Sequence, residues 1–326
     1  MKTPDTIYVD GMESGSFDSG TLRTIRSGHV DCITVTCGFW GDALESLDSI
    51  AQWRELIEEN SDVAGIARNA DDIRRLRSEN RTAVLLGFQN TSSLQGRIRF
   101  VRLFAELGVR VFQLTYNNQN DVGSSCYEPG DAGLTRFGYE VVGELNNNGI
   151  LVDLSHVGER TCKDAIAASA KPVAITHANA ASLYAHPRNV SDSTIKELAA
   201  RGGVIGCALY PNLAGPEYSK SLDAWCDMVL KTADIAGIEH VGIGSDLGGS
   251  TTDADLAWMR QGRWTRKANY GAASASSPGD DDPQWFTSME SFAGIADGLA
   301  GRGLNSSEVS AVMGGNWMRL YSEVMA

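Results

Sequence analysis

Short apolar runs, each closed by Gly, Pro or a polar residue, alternate along this chain with longer stretches whose apolar positions recur every three or four residues. The runs fall at 6–9, 32–36, 83–88, 109–115, 150–155, 173–176, 204–209 and 241–245. Continuous apolar character over such lengths is what a strand buried on both faces requires. Between most of them lie amphipathic helical patterns, at 48–59, 71–79, 96–107, 137–147, 160–168 and 192–201. Gly108, Gly149 and Gly202 stand just past three of these stretches, where a left-handed cap residue is wanted. Strands alternating with helices imply parallel pairing through crossover helices, and eight of them favour an α/β fold closed into a (β/α)8 TIM barrel. A doubly wound open sheet is the alternative, but no early GxGxxG or Walker loop accompanies it. The pattern predicts one barrel domain over 1–326, a lid-like insertion at 248–285 and C-terminal helices within 286–326, at 289–300 and 307–321.

Composition narrows the partners. With 326 residues and a net charge of −13, and without a Lys/Arg-rich stretch interleaved with aromatics, the chain is a poor partner for nucleic acid or an anionic membrane. A small molecule is expected instead. The amino terminus enters a strand-like run without a signal-peptide pattern, and no apolar stretch of about 18 residues follows, so a cytoplasmic location is expected. The six cysteines are scattered without a CxxC pair, as suits reduced, mostly packed thiols.

Chemistry concentrates where the runs end. His156 closes one run, His177 the next, and Asp246 closes the last. In a barrel the carboxyl ends of the strands gather at one mouth, which would bring together Met12 or Ser14, Cys37, Gln89, Tyr116, His156, His177, Tyr210 and Asp246. A lone strand-end histidine is usually a hydrogen-bonded core residue. Two imidazoles and a carboxylate on separate strand ends suit zinc or another divalent ion with a coordination position left for water.

The stretches Gly133-Leu-Thr-Arg-Phe-Gly138 through Val157, Pro172 through Val204, and Val241-Gly-Ile-Gly-Ser-Asp246 resemble the membrane (renal) dipeptidase family, peptidase M19, of the amidohydrolase superfamily. Its centre is Asp153-Leu-Ser-His156, then His177 and His186-Pro-Arg188-Asn-Val-Ser-Asp192. The resemblance implies a (β/α)8 barrel, a two-zinc site that hydrolyses dipeptides, and homodimerisation. His156 and His177 match the histidines of one zinc site, Asp246 the carboxylate of the other, and Arg188 the arginine that binds the substrate carboxylate. Three positions depart from the family. Where its first strand ends in Asp-Gly-His-x-Asp, this chain has Asp10-Gly-Met-Glu-Ser14, so both ligands are replaced. Gln89 stands for the bridging glutamate, and Tyr116 for a histidine held to polarise the scissile carbonyl.

Two dications would meet only Asp246 where the family offers three carboxylates, leaving a buried positive excess; one ion on His156, His177 and Gln89 or Asp246 is closer to neutral. The expected protein is therefore a dipeptidase-like metallohydrolase with one divalent ion, acting on a dipeptide or other small amide of an amino-acid-like compound. Asp246 is the expected proton carrier, Tyr116 the oxyanion donor, and Arg188, Tyr210 and Asn117 the substrate contacts. Two alternatives remain open: a metal-free proton-transfer enzyme, tautomerase or lyase, using Asp246 and His177, and a noncatalytic carboxylate-binding homologue retaining Arg188. Strand alternation turns Glu13 away from the mouth unless the strand end bulges. Cys126 is expected on a loop near the mouth, Trp40 as a pocket or cap residue, Asp153 as a buried structural acid, and His29, His186 and His240 as structural or exposed groups.

Overall fold

The computed structural model describes residues 6–247, 249–252, 254–255, 258–259 and 283–326, so most of the expected insertion at 248–285 lies outside the described residues. In chain order the elements are β1 Val9–Glu13, α1 Ser19–Ser27, β2 Cys32–Thr36, α2 Ala43–Glu59, β3 Ala64–Ile66, α3 Ala70–Ser78, β4 Thr82–Phe88 and α4 Phe100–Glu106. They continue with β5 Val109–Gln113, α5 Arg136–Asn147, β6 Leu151–Asp153, α6 Glu159–Ala168, β7 Ala174–Ile175, α7 Asp192–Ala200 and β8 Val204–Cys207. Then come α8 Pro211–Tyr218, α9 Leu222–Ala236, β9 Val241–Ile243, α10 Phe292–Gly301, α11 Ser306–Ser310 and α12 Asn316–Val324.

The strands pair in parallel in the order β1-β2-β4-β5-β6-β7-β8-β9, the expected (β/α)8 barrel. Between β1 and β9 the ring is drawn together by Asp246 N donating to Met12 O (3.0 Å) and Ser14 N to Leu247 O (3.1 Å). The Asp10 carboxylate also enters this seam, accepting from Ser245 N at 2.7 Å. Two features were not anticipated. The first strand begins only at Val9, where the expected run at 6–9 ends, and extends through the polar stretch to Glu13, and the short β3 pairs with β4 beside its amino-terminal half.

Strand alternation separates two apolar clusters. Ile33, Val35, Val84, Leu86, Phe112, Val152 and Ile205 pack with the helices around the barrel. Cys32, Ala83, Leu85, Val111, Leu151, Ala174 and Val204 face inward and meet Trp317 and Tyr321 of α12. Trp317 plugs the floor: its Nε1 donates to Ile243 O at 3.0 Å, and a Cβ at Gly11 or Gly242 would lie 2.5 or 2.4 Å from its ring. Higher in the barrel, glycine lets β8 and the end of β9 approach Thr176. A Cβ on Gly206 or Gly244 would lie 2.0 or 1.7 Å from the Thr176 carbonyl oxygen. The plugged floor leaves the carboxyl ends of the strands as the open face of the barrel.

Candidate active site

His156 and His177, one after β6 and one after β7, are buried and point their Nε2 atoms at one another across 3.1 Å. The other ring nitrogen of each is committed. Asn117 Oδ1, an acceptor only, lies 2.7 Å from His156 Nδ1, so that nitrogen carries the hydrogen. His177 Nδ1 is 2.8 Å from Thr176 Oγ1, whose hydroxyl donates to Asp153 Oδ2 at 2.6 Å. Asp153 Oδ1 takes three further donors, Ser155 N, Ser155 Oγ and Thr176 N, as an ionised carboxylate does. Burial pushes the Asp153 pKa up, and these bonds oppose it. With its single hydrogen on Asp153, the Thr176 oxygen accepts from His177 Nδ1. Burial, then the Arg188 charge, hold both imidazoles well below the usual histidine pKa. Two neutral rings thus aim lone pairs at one point, a repulsive arrangement that a cation between them relieves and the donor set of a divalent metal.

The other half of the mouth is different. Gln89 Nε2 donates to Thr36 Oγ1 at 2.8 Å, and Thr36 Oγ1 in turn lies 3.4 Å from Met12 Sδ and 3.3 Å from Glu13 O. These are neutral groups bonded to each other. A bulge does occur between Asp10 and Glu13, but Glu13 pairs with Val35, whose side chain belongs to the outer cluster. Glu13 is fully buried, and burial, then the neighbouring Asp10, raise its pKa well above the usual carboxylate range. Among the described residues no group of three or more His, Cys, Asp and Glu side chains is placed to hold an ion. The histidine pair offers two imidazole donors to one ion, and the opposite half of the mouth offers the neutral groups of Met12, Thr36 and Gln89.

Asp246 is half-buried, and desolvation of its carboxyl raises the pKa to about 7 against the lowering effect of Arg188. Arg188 is 4% exposed; Nη2 donates to His177 O at 3.0 Å, and Nη1 has no partner among the described residues. With His156 and Cys126 it lines a cavity of about 280 Å³. Cys126 N donates to His156 O at 2.9 Å, which fastens its loop to the site, and burial lifts the thiol pKa to about 12. Tyr116 lies on the His156 ring with centroids 4.3 Å apart, and burial raises the phenol pKa, so its proton stays in place. Asn117, Asp246 and His156 all have φ near +60°, at 55°, 60° and 63°. Left-handed backbone at non-glycine residues costs about 1 kcal/mol or more each, and it recurs here at three strand ends around one mouth.

The other expected residues have partners of their own. Cys37 packs in the outer cluster with Val35, away from the mouth. Asn117 spends its amide oxygen on His156, and the Tyr210 hydroxyl accepts from Asn212 Nδ2 at 2.7 Å. Trp40 packs edge-on against Tyr116 at 5.2 Å. His186, beside Arg188, is pushed down to about 4 by burial and that charge. Sequence reading missed Thr36, which joins Gln89 to Met12, and Thr176, which joins His177 to Asp153; for the latter, a threonine directly before a strand-end histidine was the available signal.

Comparison with known proteins agrees with this architecture. The family described as membrane dipeptidase (peptidase family M19) matches residues 19–258. Dipeptidase verJ of Clonostachys rogersoniana is 36% identical over 74% of this chain and 69% of its own length. An uncharacterized dipeptidase of Schizosaccharomyces pombe is 33% identical over 64% of this chain and 51% of its own length, so this chain spans about half of that relative. A crystal structure of an amidohydrolase from Pseudomonas aeruginosa superposes with a TM-score of 0.92 at 31% identity, covering 98% of this chain and 97% of the other.

Proposed function

The chain belongs to the membrane dipeptidase family, peptidase family M19, and from that premise we propose that it is a hydrolase of dipeptides or similar small amides bearing a free carboxylate, using one divalent metal ion. The observation that carries the reading is the pair of neutral imidazoles whose Nε2 atoms meet at 3.1 Å while both Nδ1 atoms donate elsewhere. His156 and His177 would hold the ion, which when bound supplies the Lewis acidity that polarises a carbonyl and acidifies water.

The remaining chemistry falls to the chain's own groups. Arg188 Nη1 binds the substrate carboxylate and fixes the amide across the histidine pair. Tyr116 donates a hydrogen bond to the carbonyl oxygen as negative charge develops there. Asp246, with a pKa of about 7, takes a proton from water as the water oxygen bonds to the carbonyl carbon. As the C–N bond breaks, Asp246 returns that proton to the departing nitrogen, giving an acid and an amine. Neutral Met12, Thr36 and Gln89 would leave a second dication uncompensated, which is why the proposal has one ion.

A dipeptide panel followed by release of free amine tests the reading. Hydrolysis that stops on chelation, returns with zinc and is lost in His156→Ala is expected. Turnover indifferent to chelators would contradict it and favour metal-free proton transfer. Ligand binding without turnover under any condition would make the chain a carboxylate-binding homologue.

A further inference from the structure

A row of aromatic rings leads outward from the histidine pair. Tyr116 lies on His156, Phe39 and Trp40 pack on Tyr116 at 5.0 and 5.2 Å, and Trp258 meets Phe39 edge-on at 6.0 Å and 84°. Burial falls away along the row: Tyr116 and Trp40 are buried, Phe39 is half-buried, and Trp258 is 50% exposed. An indole is among the largest apolar surfaces a protein can bury. Here one stands half-uncovered at the outer end of a stack whose inner end touches a candidate catalytic ring.

Strand order fixes what lies opposite. Phe39 and Trp40 follow β2, and Arg188 follows β7; in the ring β1-β2-β4-β5-β6-β7-β8-β9 these are four steps apart out of eight. By strand order the aromatic wall and the segment that carries Arg188 therefore lie on opposite arcs of the ring, and Tyr116 and His156 follow the intervening strands β5 and β6. In a dipeptide whose carboxylate is held by Arg188, the amino-terminal residue, on the acyl side of the scissile bond, extends toward the wall.

We propose that Phe39, Trp40 and Trp258 receive a large aromatic or apolar group on the amino-terminal, acyl side of the scissile bond, so that the substrate carries a carboxylate at one end and an aromatic side chain at the other. This rests on the hydrolase reading above. The wall acts through contact with the substrate, and Trp258, which touches Phe39 and not the histidines, is the residue to change.

The test compares phenylalanylalanine, alanylalanine and alanylphenylalanine on the metal-loaded protein. The ratio of kcat/KM for phenylalanylalanine over alanylalanine is expected to be about tenfold, the order that aromatic contacts supply. It should fall close to one in Trp258→Ser and persist in Trp258→Phe. A ratio near one in the unaltered protein, a ratio that survives Trp258→Ser, or a larger gain from alanylphenylalanine overturns the proposal. If none of the three is hydrolysed, the hydrolase reading is what fails, and calorimetric binding then decides about the wall. Tighter binding of phenylalanylalanine that is lost in Trp258→Ser upholds it, and equal binding overturns it.

Discussion

His177 owes its tautomer to its neighbour in sequence. The Thr176 hydroxyl gives its hydrogen to Asp153 and accepts from His177 Nδ1, which leaves Nε2 as a bare acceptor beside that of His156. Thr176→Val keeps the shape and removes the hydroxyl. It should weaken zinc affinity about 10- to 100-fold, as loss of an orienting partner does, and cost about 2 kcal/mol by stripping a hydrogen bond from a buried carboxylate. Zinc titration and urea unfolding of the same variant read the two effects, and unchanged affinity would show that Thr176 does not orient the ligand. The histidines, Asp246 and Arg188 were legible in sequence because each closes a run or sits in a motif. Their orienting partners were not, since an ordinary threonine or asparagine acquires its meaning only from which atom it faces.

At the scale of the element, the seam between first and last strand explains what the hydrophobic pattern could not. A strand search ends at Val9 because Asp10 and Glu13 are acidic, yet both are fully buried. Asp10 is there to accept from Ser245 N across the gap. Burial raises its pKa from 3.8 to about 6. Between those values the folded protein keeps a proton that the unfolded chain has released, so this carboxyl favours folding at low pH and the contribution is lost as pH rises through 6. Over that window the loss is about 3 kcal/mol. Asp10→Asn retains an acceptor oxygen and cannot ionise, so urea midpoints at pH 4 and pH 7 should lie closer together in the variant than in the unaltered protein. An identical pH response in both would mean that Asp10 does not titrate in this range. β3 escaped notice for a different reason: its short Ala-Gly-Ile run has neither the length nor the bulk that marks a buried strand.

For the whole molecule, the alternation of runs and helices was sufficient to indicate the barrel, because a parallel strand buried on both faces must be apolar throughout. The plug was not legible. Trp317 reads as one apolar position in an amphipathic C-terminal helix, and only the glycines at 11, 206 and 242 around its ring show that it fills the barrel floor. That plug confines chemistry to the opposite mouth. Among the described residues no helix is long and apolar enough to cross a membrane, and the overall charge of −13 suits a small-molecule partner better than a polyanion. The mouth itself is asymmetric: a histidine pair fit for a cation on one side, a neutral Gln89–Thr36–Met12 cluster on the other. The central claim is that this asymmetry makes the site mononuclear. The most direct measurement is the titration of metal-stripped protein with zinc while hydrolysis of a dipeptide is followed. Activity that rises linearly and levels off at one zinc per chain is the predicted result; activity that needs a second equivalent, or that is already full without zinc, would contradict it.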